Sequence, residues 1–479
     1  MQTLQYDAVI IGAGAGGIAT ALAAARLGVR TLLVEQDAII GGTAVNAGVS
    51  IWEPGVSGTG ISRDIYHAMS GQPATVGIYR IHNHCCWPSA DSSSFPGALL
   101  TIDPALCYED TLLRYGTRGI VADEDFVRRS WHGVPFEPSA FSTTVMNMLR
   151  ETGCCQIMTG AELCNVSTHE NAIRDAIVQH NESTFQLNAD YWVDCSGDAI
   201  LCAMAGCDMM SGTDGISDFN ELDAPSLPTD EVNAISLIYR VSRDCRQWIV
   251  QQETEFPACW WQQEYPCASI AQYPNGDFNI NMLPTMIGAD LQALGYPAAY
   301  QECVRRVQAH WTWLQQQWPD FRQYGISWIA PRLGVREGPR VKGEYILTEH
   351  DLLAGISQQP HDDIIAIADH AIDMHGASHQ PKCGEVREPY GIPFRCLQPK
   401  GWDNLLVACR GAGFSHIAAA SCRLTRTLMQ LGQAAGTAIA LAMTLHCLPR
   451  DVPSAALRDS LAQQGVILNY RQLPGYSAQ

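Results

Sequence analysis

A chain of 479 residues is about three times an ordinary domain, long enough for one composite fold or two interleaved domains. Its residues are 47% hydrophobic and 16% charged, which supplies a large core and excludes extended low-complexity disorder. The formal charge of −19, from 30 basic and 49 acidic residues, repels phosphate backbones and anionic headgroups and argues against nucleic-acid and membrane partners.

Along the chain, Tyr6-Asp7-Ala8-Val9-Ile10-Ile11 reads as a strand buried on both faces, being nearly continuous in apolar character. Gly12 to Gly17 form a glycine turn, residues 15–27 an alanine-rich helix closed by Gly28, and Thr31-Leu32-Leu33-Val34 a second buried strand ending at Glu35. The stretch 50–136 is rich in Gly, Ser, Pro and His. A helix is then expected near 141–150 and a short strand at 155–159. Apolar and polar residues alternate over 162–190 around a turn at Glu170-Asn171, as in a β-meander. Tyr191-Trp192-Val193-Asp194 is a further buried strand, stopped by Ser196-Gly197-Asp198, and 199–205 is helical in character. Most tryptophans fall in 211–390, which has a helical pattern near 297–317. The apolar strand character returns at Asn404-Leu405-Leu406-Val407-Ala408, followed by one long Ala/Gly helix from about 421 to 445. No internal repeat is visible.

Eighteen cysteines are scattered over a long chain, and the vicinal pairs Cys85-Cys86 and Cys154-Cys155 lack the spacing of zinc or iron–sulfur ligands. They are expected to be reduced and mostly buried, as in the cytosol. The first residues carry no positive charge, and Asp7 interrupts the apolar run, so no signal peptide is expected. Arg423, Arg426 and Gln433 interrupt the apolar C-terminal stretch, so a membrane span is not expected either. The expected location is cytoplasmic.

Gly12, Gly14 and Gly17 make GxGxxG between a strand and a helix. The three glycines suit a tight turn, a close approach of backbone to a pyrophosphate, and helix–strand packing, while the helix N-terminus offers free amides to phosphate. Glu35, ending the second strand, is placed to accept hydrogen bonds from ribose hydroxyls. A glycine turn alone is often only structural; strand, glycines, helix, strand and acid together point to a dinucleotide, either NAD or FAD.

Three later segments separate those two. They are Gly41-Gly42-Thr43, Asp194-Cys195-Ser196-Gly197-Asp198, and the stretch from Asp403 to Arg410 with Gly432-Gln433-Ala434-Ala435-Gly436. Through them the chain resembles the FAD-dependent oxidoreductases that share a glutathione-reductase-type, two-dinucleotide-fold FAD domain. Within that family it is similar to the bacterial branch holding succinate/fumarate-type flavoproteins. The resemblance covers the start, 137–207 and 331–445, and covers the middle poorly. It implies an α/β fold, a Rossmann-like FAD-binding domain of parallel sheet plus β-meander with an inserted α+β substrate or cap domain. The FAD-binding domain would be discontinuous, over 1–50, 137–210 and 391–450; the cap would take 51–136 and 211–390, and 451–479 would form a C-terminal tail. The implied contacts to a noncovalent FAD are Gly12, Gly14, Gly17, Glu35, Gly42, Thr43, Gly197, Asp198, Ala408, Gly432, Gln433 and Ala434.

Two departures narrow the chemistry. Ala44 and Val49 stand where disulfide reductases carry their cysteines, so dithiol relay is excluded. Gly411-Ala412-Gly413 follows a strand, but Phe414-Ser415-His416 does not complete a second nucleotide motif, so electrons are expected directly from the substrate. The segment 331–351 carries Arg332, Arg336, Arg340 and Lys342 and resembles a family stretch lying near flavin and substrate; it holds a carboxylate or an oxyanion, or is a solvated basic loop or a scaffold of salt bridges. His375 and His416 match family histidine positions, where a neutral imidazole takes an alcohol proton as hydride leaves, and Arg423 adds a cation beyond His416. The catalytic candidates are therefore His416, His375, Arg340 and Arg423. His361, His370, His375 and His379 have no spacing of a closed metal site, and no metal is expected. His82-Asn83-His84-Cys85-Cys86-Trp87 is a pocket wall, a covalent flavin attachment or a plain loop. The expected function is hydride transfer between FAD and a small polar organic substrate, by a dehydrogenase or an oxidase. The alternatives are a non-redox use of the flavin, lyase-type or structural, and flavin-dependent RNA modification, which the acidic surface disfavours. The expected partners are that small molecule and, optionally, further copies of the chain.

Overall fold

The computed structural model describes residues 1–80, 85–86, 101–113, 132–245, 256, 258–375 and 382–476. The fold is α/β. β1 (Gln2–Ile11) enters the core over its last four residues, Ala8 to Ile11, and continues through a glycine turn into α1 (Ala15–Arg26), whose alanines are buried almost all round. β2 (Thr31–Glu35) lies parallel to β1, with Ala8 opposite Thr31 and Ile11 opposite Val34. α2 (Pro138–Glu151) leads to β3 (Cys155–Thr159), parallel to β2. The meander follows as β4 (Ala161–His169), β5 (Ala172–His180) and β6 (Ser183–Asp194), with its first turn at Glu170-Asn171.

β6 is 12 residues long and organises the sheet. Its first half carries β5 antiparallel, its whole length carries β1 parallel, and its last three residues carry β7 (Leu405–Val407) parallel. The order is β3-β2-β1-β6-β5-β4 with β7 also on β6. Strands covered on both faces must be apolar throughout, which is why β1, β2 and β7 lack alternation and the meander keeps it.

The helix read from the sequence over about 421–445 is α4 (Thr425–Leu445), and a separate short helix, α3 (His416–Cys422), precedes it. Leu424 is extended, and Arg423 is tied to the carbonyl and carboxylate of Asp373, which turns the chain between them. By length and hydropathy α4 could cross a bilayer, yet 72% of its apolar window is buried inside the protein, where it packs along α1. The contact is backbone to backbone: a Cβ on Gly432 would lie 2.1 Å from the Gly16 carbonyl oxygen, and one on Gly436 2.3 Å from that of Thr20.

Buried side chains form two large clusters. The first surrounds the seven-stranded sheet and also takes in Trp52, Ile65, Tyr108, Leu352 and the strand Ile364–Ala368. The second belongs to an antiparallel sheet of Tyr324–Ile329, Tyr239–Arg243, Phe278–Leu283, Cys267–Gln272 and Cys85–Cys86, covered by the helix Tyr296–Gln317. That helix buries Ala299, Cys303, Val307, His310 and Leu314, one stripe at helical spacing. The loop after Thr43 joins the two bodies, since the Asn46 carbonyl accepts from Arg332 N at 3.0 Å and the Gly48 carbonyl from Asn279 Nδ2 at 2.8 Å.

Candidate functional site

Residues just beyond the C-terminal ends of β1, β2, β6 and β7 line one cavity of about 310 Å³, where ligands of parallel α/β sheets bind. Gly12 (φ +99°) makes the turn out of β1. Glu35, at the tip of β2, accepts from Ala13 N at 2.7 Å and from Asp37 N at 2.9 Å, so its carboxylate is held at the cavity wall. Burial raises its pKa against the pull of those two amides. Asp37 is in turn paired with Arg332, whose Nε lies 3.0 Å from Asp37 Oδ1, so Arg332 belongs to this cavity.

Gly14 opens α1. A Cβ there would have only Gly42 Cα nearby, at 3.9 Å, so this face of the turn is clear beside amides that lack helical partners. Gly42 (φ +52°) brings the second loop against Gly14, and Thr43, Asn46 and Ala47 continue the wall. Gly197 and Asp198 line it from the end of β6. Arg410, just past β7, donates to Asp198 Oδ1 at 2.6 Å, and its Nε is buried without a partner. Ala161, Leu163, Tyr296, Leu333, Val335 and Leu428 give the apolar lining.

These residues fit a dinucleotide. Glu35 would take the ribose, the α1 amides and the cleared cradle at Gly14 the diphosphate, and the guanidinium of Arg410 adds positive charge beside it. The sequence reading missed Arg410, Asn46 and Leu163 as wall residues; only Arg410, ending the strand segment 403–410, carried a signal. Ala408 donates its amide to the Asp194 carbonyl, and its own carbonyl oxygen would lie 1.8 Å from a Cβ on Gly16. Gly432, Gln433 and Ala434 sit further along α4: Gly432 packs on Gly16, and Gln433 bonds Ile61 N and Gln464. Leu428 is the α4 residue at the cavity.

The four catalytic candidates meet in one buried polar network. Arg340, 1% exposed, donates to the Phe414 and Gly212 carbonyls, to Glu337 at 2.5 Å and to Asp214 at 3.1 Å. His416 Nδ1 lies 2.7 Å from the same Glu337 oxygen. Burial works to raise the Glu337 pKa, but the His416 bond and the charges of His416 and Arg340 bring it below the usual range. Asn233 bridges onward, donating to Glu337 Oε2 at 2.9 Å and accepting from His375 N at 2.8 Å. His375 Nε2 lies 2.9 Å from Asp373 Oδ2, which also accepts from Arg423 at 3.1 Å. Burial and then the Arg336 charge lower the His375 pKa; burial also brings Arg336 down to about 10. Arg423 Nη1 is buried without a hydrogen-bond partner among the described residues. The network adjoins the cavity through Val335, which precedes Arg336 and lines it. Arg340 and His416 thus share one oxygen of Glu337.

The histidines weighed as a metal cluster have separate partners: His361 faces Asp351, His370 faces Glu53 and His375 faces Asp373. His379, His82, Asn83, His84 and Trp87 lie outside the described residues.

A family model described as FAD dependent oxidoreductase matches residues 7–461. Mitochondrial dihydrolipoyl dehydrogenase of Caenorhabditis elegans is 48% identical over 46 residues, which is 10% of this chain and 9% of that curated relative's length. Among solved structures, a geranylgeranyl bacteriochlorophyll reductase-like protein from Thermoplasma acidophilum has a TM-score of 0.46 at 12% identity, over 96% of this chain and 83% of that one. A flavin-dependent brominase has a TM-score of 0.47 at 12% identity, over 96% of this chain and 85% of that one.

Proposed function

The chain belongs to the family of FAD-dependent oxidoreductases, and from that premise we propose that it moves hydride between a small polar organic substrate and noncovalently bound FAD. FAD is the cofactor; when bound it supplies the two-electron carrier. The observation that carries the reading is the cavity at four strand tips, with Glu35 fixed by two amides, the clear face of Gly14 at a helix start, and Arg410 at the far strand. Within it Glu35 holds ribose hydroxyls, the first turn of α1 holds the diphosphate, and Leu333, Val335 and Leu428 exclude water. The buried network sets charge next to this site: Glu337 orients His416, Asp373 orients His375, and Arg423 turns a nitrogen without a protein partner to a polar group of the substrate. With Ala44 and Val49 in place of a cysteine pair, no dithiol shares the electrons.

The test is a visible spectrum of the purified protein before and after denaturation, then anaerobic titration with alcohols, hydroxy acids and sugars. Flavin bands that leave with unfolding, and bleaching by one of these compounds, are expected. A protein that is colourless and takes up no added FAD would sink the proposal.

A further inference from the structure

A second cavity, of about 60 Å³, is walled by the neighbouring residues of two segments that bound the first: Val49 beyond Ala47, and Leu424 to Thr427 before Leu428. At roughly 30 Å³ per water it admits a functional group of a few heavy atoms. Four charged or titratable side chains line it, Glu53, Asp369, His370 and Arg426, and of these Glu53 and His370, from distant parts of the chain, face each other.

His370 is 9% exposed, and both its ring nitrogens face oxygen. Nδ1 lies 2.8 Å from the Ala371 carbonyl, and Nε2 lies 3.1 Å from Glu53 Oε2. A carbonyl only accepts, so Nδ1 carries a hydrogen. Nε2 then meets a carboxylate, and unless a hydrogen lies between them two lone pairs face each other. The pair therefore holds one exchangeable proton at the cavity wall. Its position is fixed from several sides: Ser421 Oγ donates to the His370 carbonyl at 2.6 Å, and Arg426 of α4 donates to the Glu53 carbonyl and to Thr111. Among the described residues, the other charged or titratable groups facing it are Arg426, Asp369, bonded to Val56 N, Asp373, and Tyr79, which is buried near Glu53.

We propose that Glu53 and His370 are the acid–base pair of this enzyme, exchanging one proton with the oxygen of an alcohol or its carbonyl counterpart seated in the small cavity. The proposal rests on the FAD reading above and names its proton-handling residues and substrate class. In reduction the hydrogen held between Nε2 and Oε2 passes to the carbonyl oxygen as the carbon takes up hydride; on oxidation, starting from the pair after it has released that hydrogen to solvent, the substrate O–H bond breaks, its electron pair stays to form the carbonyl, and the proton returns between Nε2 and Oε2. The hydride lost from carbon is the one taken up by FAD in that reading; reduction runs the same path backwards. Among the described residues, His416 meets Glu337 through Nδ1 and His375 meets Asp373 through Nε2.

Two measurements on the FAD-loaded protein need no substrate. Nitrogen-15 NMR of histidine-labelled protein, followed against pH, should show His370 Nδ1 carrying a hydrogen throughout and Nε2 responding to Glu53. In Glu53→Gln its titration should move down by at least one pH unit, a tenfold change in proton affinity. The FAD midpoint potential, plotted against pH, should bend where His370 titrates, because added negative charge on the reduced cofactor favours the proton on the pair; the bend should vanish in Glu53→Gln and His370→Gln. A His370 titration unmoved by Glu53→Gln, or a bend shared by both variants, would overturn the pair. Loss of FAD from wild-type protein would instead refute the earlier reading and leave the NMR result to judge the pair alone.

Discussion

Glu35 combines two roles that truncation separates poorly, since its oxygens anchor the glycine turn through Ala13 N and remain acceptors toward the cavity. Glu35→Ala leaves a buried amide unpaired and removes the ribose acceptor, a loss of about 1–3 kcal/mol. FAD fluorescence titration of the apoprotein should therefore show affinity weakened roughly ten- to hundredfold; an unchanged Kd would take Glu35 out of the site. His310 illustrates a residue whose effect is on stability alone. It is fully buried against Tyr239, with Nδ1 2.8 Å from the phenol oxygen, and burial lowers its pKa from 6.5 to about 3. The unfolded chain takes up a proton near pH 6.5 and the folded one only near 3. Below 6.5 the unfolded state thus binds more protons, and His310 removes up to about 1.4 kcal/mol of stability per pH unit as the pH falls. His310→Gln carries no such proton, so its urea-unfolding deficit relative to wild type should shrink from pH 7 to pH 5. A constant deficit would mean that His310 takes up its proton in the folded state as readily as in the unfolded chain. Glu35 was legible because its partners, Ala13 and Asp37, lie 22 and 2 residues away, inside or just past one strand–turn–helix–strand unit. The partners of Arg340 were not: Gly212, Asp214 and Phe414 come from 128, 126 and 74 residues away.

At the level of elements, the glycine turn divides into positions that serve the ligand and positions that serve the fold. A Cβ at Gly14 meets nothing closer than 3.9 Å, whereas one at Gly16 would lie 1.8 Å from the Ala408 carbonyl. Gly14→Ala should leave the apoprotein's Tm unchanged and weaken FAD binding at least tenfold, because the methyl stands where phosphate must approach helix amides. Gly16→Ala should do the reverse first, pushing α1 away from the end of β7 at a cost of about 1–3 kcal/mol. Calorimetry and FAD titration of the two variants decide this; equal losses in both would remove the distinction. The sequence pattern named Gly12, Gly14 and Gly17 and passed over Gly16, whose opposing backbones lie in β7 and α4. The start of the last long helix was misplaced for a similar reason. The sequence puts it near 421, whereas α3 ends at Cys422 and α4 begins at Thr425, and Arg423 between them is anchored by Asp373, 50 residues earlier in the chain. Local propensity marks where helices are allowed, and distant partners decide where they stop.

Across the whole molecule, the seven-stranded sheet could be followed in the sequence because parallel strands buried on both faces stand out as apolar runs, each punctuated at its tip by Gly or an acid. The second sheet offered no such signal: its strands join residues as far apart as Cys85 and Ser269, and its pattern is that of an aromatic-rich stretch. Yet the cofactor cavity is bounded by both bodies. Tyr296 and Leu333 belong to the second, with the Tyr296 hydroxyl bonded to Leu333 N at 2.9 Å, and the loop holding Thr43 and Asn46 is pinned to that body through Arg332 N and Asn279. A ligand that binds only the folded state stabilises it by about 2.7 kcal/mol at a hundred times its Kd, and the gain falls on every cooperative unit it touches. FAD should therefore slow amide exchange across 296–333 as well as at the turn after β1 and the loop after Gly42. Exchange of apo and FAD-loaded protein, compared peptide by peptide, measures this directly. Protection confined to the first body would show that the second opens independently of the cofactor, and that the contacts through Asn46 and Gly48 do not couple the two.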